Sequence, residues 1–157
     1  MSTNSNSAHF AHPTREGYTL TFDKCALDIT AIHAYLSKSY WSTDIPRATV
    51  QRAIDNSLCA GVFYQAAQIG FARVVTDKAT FAYLCDVYIL DAHRGLGLSK
   101  WLLKTIQSRP ELQGLRRFIF GTRDAHGLYA QFGFTPLSNP SRMMEILLPT
   151  IYETAKS

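Results

Sequence analysis

The sequence predicts an α/β domain of the α+β kind, a mixed, mainly antiparallel twisted sheet flanked by about four helices. Three observations carry this expectation. Three β-rich runs between Val62 and Leu90 follow one another with short connections, which makes them antiparallel neighbours in a meander. The glycine turn Gly95-Leu96-Gly97 then joins the third run to a segment with apolar residues at helical spacing, and a further apolar run follows; strand, helix and strand in one sheet require a parallel pair. Two amphipathic segments precede the meander and a short one follows the crossover, which brings the helices to about four.

Taken in order, residues 1–15 are polar and rich in Ser and Asn, and are expected to form a flexible leader before a single domain spanning residues 16–157. His9 and His12 are expected to be solvated there, since no other ligand cluster accompanies them. Tyr18-Thr19-Leu20-Thr21-Phe22 alternates and reads as a first strand ending at Asp23-Lys24. Asp28 is a plausible N-cap for a helix whose one face carries Ile29, Ile32, His33, Leu36 and Tyr40, with His33 a core or boundary residue. The run from Ser37 to Pro46 breaks that helix, and Pro46 suits the first turn of the next, whose apolar face is Val50, Ala53, Ile54 and Leu58. Tyr40 and Trp41, in the aromatic turn between the two helices, either line an acceptor pocket or pack.

The meander follows, as Val62 to Tyr64, Ile69 to Thr76 and Phe81 to Leu90. Asp86 interrupts the last run, so its carboxylate either pairs with another group, caps a loop, or sits where its ionisation matters. After the glycine turn, Leu98, Trp101, Leu102 and Ile106 define a helix that Arg109-Pro110 ends. Leu115 to Gly121 is the parallel strand. Asp124 is placed to cap a short helix with Leu128 and Phe132 on its buried face and Gly133 past its end; Phe134 to Leu137 and Met143 to Leu148 are expected to close the sheet as a strand pair.

Composition narrows the function classes. With 157 residues there is room for one ordinary core, and 46% hydrophobic against 18% charged residues is globular rather than disordered. Sixteen Lys and Arg against twelve Asp and Glu give +4, which suits a polyanionic ligand; without a basic run, nucleic acid is not expected as a partner. Cys25, Cys59 and Cys85 form no Cys-x-x-Cys pair, so no metal site is expected and a reducing cytoplasm fits best. No apolar run approaches the ~20 residues that span a bilayer, so no membrane is expected either.

A strand, a glycine turn and a helix together make an anion site, because glycines allow close backbone approach and the first helical N–H groups attract a phosphate. A P-loop would need Gly-Lys-Ser/Thr after four residues, which is absent; a dinucleotide loop would need Gly at the sixth position from Gly95, where Lys100 stands. Arg94-Gly95-Leu96-Gly97-Leu98-Ser99 instead resembles the pyrophosphate loop Arg/Gln-x-x-Gly-x-Gly/Ala of the GNAT superfamily of N-acetyltransferases, with Ser99 in the last small position. A second segment, Leu128-Tyr129-Ala130-Gln131-Phe132-Gly133-Phe134 with Ala125 in register, is similar to that family's Ala-x-x-Leu-Tyr-x-x-x-Gly-Phe. The resemblance covers roughly residues 18–148 and is most specific from Asp86 to Phe134.

The resemblance implies a GNAT-like fold with a splayed central strand that binds CoA, and an acyltransferase that moves an acetyl group from acetyl-CoA to a primary amine of a small molecule or protein. It implies that the pantetheine arm follows the backbone of Val87, Tyr88 and Ile89. The pyrophosphate would rest on the N–H groups of Gly95, Leu96, Gly97, Leu98 and Ser99 beside Arg94. It makes Tyr129 the general acid for the departing CoA thiolate. Asp86 is the first candidate for the base that takes the amine proton, and His126, three residues before Tyr129, the second. Thr122 stands where the family often has Asn, so CoA contacts there are expected to differ. A non-catalytic acyl-CoA-binding or sensing module is the alternative, and the sheet's open edges make a homodimer an expectation.

Overall fold

Alternating apolar residues from Leu58 to Ile89 lay down the middle of a six-stranded sheet whose strands stand in sequence order. The computed structural model describes residues 8–153. The strands are β1 (His9–Ala11), β2 (Tyr18–Thr21), β3 (Leu58–Tyr64), β4 (Ala67–Thr76), β5 (Phe81–Ile89) and β6 (Arg117–Phe120). β1 to β5 pair antiparallel, and β6 lies parallel to β5. The expected meander and parallel crossover are therefore both present.

Helices cover the two faces. α1 (Ile29–Leu36) and α2 (Arg47–Asp55) press Ile32, Leu36, Val50 and Ile54 onto Cys59, Phe71 and Tyr88 on one face of the sheet. α3 (Leu98–Gln107) presses Leu98, Leu102, Leu103 and Ile106 onto Leu20, Val62, Val74 and Leu84 on the other. Each such buried aliphatic side chain contributes roughly 1.5–3 kcal/mol. α4 (His126–Ala130) is short and buries Tyr129. Asp28 caps α1 as expected, its Oδ1 accepting from Ala31 N at 3.1 Å, and His33 is a boundary residue whose Nε2 lies 2.9 Å from the Ile45 carbonyl.

Four local expectations are corrected. The leader is not free as far as residue 15: His9–Ala11 pairs with β2, because Phe10 packs edge-on against Phe22 at 6.0 Å. Its first seven residues lie outside the described residues. Leu58 opens β3 instead of finishing the second helix, which ends at Asp55. Asp124 does not cap α4; Thr122 Oγ1 accepts from Ala125 N instead. The closing strands over 134–137 and 143–148 are absent. Phe134 turns inward against Phe118 and Phe120, and Pro136 and Pro140 cannot donate to a ladder.

Two irregularities shape what lies at the sheet's centre. β5 and β6 pair only from Phe81↔Arg117 to Leu84↔Phe120, so Cys85 to Ile89 continue with no strand on that side. On the other side the β4–β5 register slips between Arg73↔Cys85 and Phe71↔Tyr88, and Asp86 takes φ 56 in the resulting bulge. The strand is splayed from one neighbour and bulged against the other at the same place.

Candidate active site

The splay between β5 and β6 opens into a cleft of about 840 Å³, floored by Asp86 to Ile89, with the glycine loop at one end and α4 on one wall. At the loop, Gly95 and Gly97 both have φ 77, a conformation open to glycine and costly for other residues. A Cβ on either would meet nothing within 4 Å, so the backbone there faces open space. Gly97 occupies the N-cap of α3 and no side chain caps the helix, leaving the first-turn N–H groups available at the positive end of the dipole. Gly97, Leu98, Ser99 and Lys100 all line the cleft. Arg94 stands beside them, its Nε bonded to the Ile89 carbonyl at 3.0 Å and its Nη1 paired with Asp91 at 2.9 Å. This donor set suits an anion: an open, uncapped helix start with cations on its rim.

In the middle of the cleft, Asp86 is tied on both sides. Its Oδ1 accepts from Trp41 Nε1 at 2.9 Å and its Oδ2 from Arg73 Nε at 2.8 Å; Arg73 Nη1 also donates to Ser57 Oγ. The side chains of Asp86 and Arg73 are 9% and 19% exposed, so this is a nearly dry ion pair. Burial pulls the Arg73 guanidinium down, but the Asp86 carboxylate, with Cys85 and Cys59, raises it overall, so the arginine stays charged. Of the three sequence readings for Asp86, pairing is the one observed.

Tyr129 forms the opposite wall. Its ring stacks on Phe120 at 3.8 Å and the residue is buried, yet the hydroxyl has no hydrogen-bond partner among the described residues and the side chain lines the cleft. Burial, with a smaller contribution from Tyr40, pushes its phenol above the ordinary range, so it stays protonated at neutral pH. Tyr40 and Trp41 line the outer part, with the Arg123 guanidinium 4.0 Å over the Tyr40 ring. Thr122 lines the cleft as well.

Most of the residues singled out from sequence thus converge here. Two do not: Leu96 turns its side chain into the α3 core, and His126 is exposed at the start of α4, outside the cleft lining. Sequence reasoning passed over Arg73 and Tyr35. Arg73 is a lone charge in an apolar strand, a signal that a partner must face it. Tyr35 stacks on Tyr88 at 3.8 Å and 11°, but it adjoins the apolar face of α1 without lying on it, so periodicity does not mark it. Cys85 also lines the cleft, and burial pushes its thiol up to about 12. No cluster of three or more His, Cys, Asp or Glu suited to a metal occurs among the described residues.

Known proteins resemble this chain in sequence and fold. A family model described as "Acetyltransferase (GNAT) domain" matches residues 56–136, from the end of α2 past Gly133. A "putative acetyltransferase" of Gibberella zeae is 32% identical over 141 residues, 75% of this chain and 78% of that protein. The crystal structure of a "putative acetyltransferase belonging to the gnat family" from Xanthomonas campestris pv. campestris superposes with a TM-score of 0.84 at 52% identity, over 86% of this chain and 96% of that one. A GNAT family acetyltransferase from Elizabethkingia anophelis, solved with acetyl-CoA bound, shares the fold at TM-score 0.60 and 12% identity, over 85% of this chain and 90% of that one. By its domain match, its relatives and its fold, the chain belongs to the GNAT family of acetyltransferases.

Proposed function

We propose that the protein is an N-acetyltransferase that moves the acetyl group of acetyl-CoA to a primary amine of a small molecule or protein by direct attack. The observation that carries this reading is the convergence, in one cleft, of a splayed strand, an uncapped glycine-rich helix start and an unpartnered buried tyrosine hydroxyl. The backbone of Val87, Tyr88 and Ile89, with no strand neighbour on the β6 side, is where the pantetheine arm bonds. The N–H groups from Gly95 to Ser99 take the pyrophosphate, with Arg94 and Lys100 as cations on the rim and Thr122 on the facing wall. Tyr129, a neutral donor, protonates the CoA thiolate as the amide forms.

Direct attack is favoured because the cysteine in the cleft is a poor nucleophile. Burial pushes the Cys85 thiol up to about 12, so it is held protonated at neutral pH. The amine must lose a proton, and Asp86 is the carboxylate at hand, but both its oxygens already hold donors. We therefore assign Asp86 first to positioning Trp41 beside the acceptor, with the proton leaving through water. Tyr40 and Trp41 form the acceptor's wall. Three free cysteines support a reducing, cytoplasmic setting.

The test is CoA release from acetyl-CoA across a panel of primary amines. Release should depend on the acceptor, initial-rate plots should intersect rather than run parallel, and replacing Cys85 with alanine should leave turnover in place. Acetyl-CoA that raises the melting temperature with no acceptor-dependent release would instead identify a non-catalytic binding module.

A further inference from the structure

We infer that the acceptor is a small amine that also carries a carboxylate, an amino acid with an apolar or aromatic side chain, and that Arg123 and Lys38 receive that carboxylate. This deepens the acetyl-transfer reading and rests on it. Arg94 and Lys100 stand at the glycine loop, where an anion is already provided for. Away from that loop the cleft is lined by two further cations, Lys38 in the turn after α1 and Arg123 in the loop before α4. Among the described residues neither side chain has an ion pair or a hydrogen-bond partner, so their charge is left for a ligand.

Arg123 is held in place without being neutralised. Its guanidinium lies 4.0 Å over the Tyr40 ring, so the loop before α4 reaches across the cleft to the turn after α1. The ring covers one face of the guanidinium and leaves the in-plane N–H groups, and it is in that plane that a carboxylate accepts two parallel bonds. Tyr40 also lies near enough to Tyr129 to add to the rise of its phenol. The anion site is therefore close to the proposed acid, and one small molecule can carry both the anion and the reacting amine.

The rest of this wall is flat and apolar. Tyr40, Trp41 and Tyr83 are 58%, 40% and 39% exposed and all line the cleft; Tyr40 stands edge-on to Trp41 at 5.1 Å, and the bond to Asp86 fixes the indole. Rings left this bare lose water when an apolar side chain covers them. Charge then decides the sign of the acceptor. Asp86 is paired with Arg73, so Asp124 is the one uncommitted carboxylate among the described residues lining the cleft, facing a balance that includes both Lys38 and Arg123. A polyamine or a lysine-rich peptide would bring further cations to like charge, whereas an amine with an anion beside it matches.

CoA release from acetyl-CoA with matched acceptors tests this: phenylalanine, leucine and tryptophan, each against its amide and its decarboxylated amine. Referred to the neutral amine, kcat/KM should be at least tenfold higher for the best amino acid than for its carboxylate-free partners, and the preference should shrink as salt is added. Arg123→Gln should reduce that preference at least fivefold, and Arg123→Gln with Lys38→Gln should abolish it, while acetyl-CoA still raises the melting temperature of both variants. A second measurement needs no turnover. With CoA bound, the N-acetyl amino acid should bind at least tenfold more tightly in calorimetry than the N-acetyl amine, and the double variant should lose the difference. That binding difference without release from any amine would support the carboxylate site and overturn acetyl transfer alone. Carboxylate-free amines or lysine peptides used as well as the amino acids, equal binding of the two products, or a preference unmoved in the double variant would overturn the inference and leave acetyl transfer standing.

Discussion

Asp86 stands at positive φ in the bulge of β5, and its carboxylate joins β4, through Arg73, to the loop after α1, through Trp41. Asparagine tolerates the same backbone conformation, so Asp86→Asn adds no backbone strain, but it removes the charge and leaves one acceptor for the two donors Trp41 Nε1 and Arg73 Nε. It leaves a mostly buried guanidinium unpaired and should cost about 3 kcal/mol in urea unfolding; a loss below about 1 kcal/mol would mean the pair is not holding these elements. Tyr129→Phe should lower turnover at least tenfold with acetyl-CoA affinity retained, because it deletes a hydroxyl with no structural partner. Since burial raises the Tyr129 phenol, the acid form persists, and turnover should show no alkaline loss from this group until the pH exceeds about 10. Sequence identified Asp86 and Tyr129 as residues of interest. It did not identify Arg73 as the partner of Asp86, because a bulge shifts the β4–β5 register between them and no residue count reveals a bulge.

At the scale of elements, the glycine loop and the splay of β5 from β6 do different work from the glycines inside the sheet. Gly97→Ala should cost only about 1–2 kcal/mol of stability, for an L-residue in the left-handed region, because its Cβ meets open space. Acetyl-CoA binding measured by calorimetry should nevertheless weaken, because the Cβ enters the space left for the ligand. Gly70→Ala should behave oppositely, losing stability first: its Cβ would lie 2.6 Å from Ile89 Cδ1 and 3.0 Å from the Tyr88 carbonyl. The helices α1, α2 and α3 and the meander were legible because amphipathic spacing, the Asp28 cap and the stop at Pro110 are local signals. The closing strands were expected from equally good local signals at Met143–Leu148 and are not paired in this chain. A strand pattern specifies a willing backbone, while the partner is decided by where the chain is tethered. β1 was missed for the converse reason, since a three-residue strand held by Phe10 on Phe22 leaves almost no periodic trace.

At the scale of the molecule, the buried thiols set the alkaline limit of stability. Burial pushes Cys59 and Cys85 from 9.0 up to about 12, and raises the Tyr88 phenol too. The unfolded chain releases these protons near their ordinary values, while the folded chain keeps them, so the stability these groups contribute is fully present below pH 9, declines above it, and is lost as the pH approaches 12. Urea midpoints measured across that range should fall with pH, and a flat profile would contradict the buried, protonated state. In the native protein Cys25, which is exposed, should be the thiol that reacts rapidly with a disulfide reagent. The glycine loop, the splayed strand, Asp86 and Tyr129 surround one cleft, and its occupant is the central claim. The most direct measurement is a crystal structure with CoA bound. The pyrophosphate should lie on the backbone of Gly95 to Ser99, the pantetheine along Val87 to Ile89, and the sulfur within hydrogen-bond reach of the Tyr129 hydroxyl. CoA bound away from the glycine loop, or a sulfur out of reach of Tyr129, would contradict it.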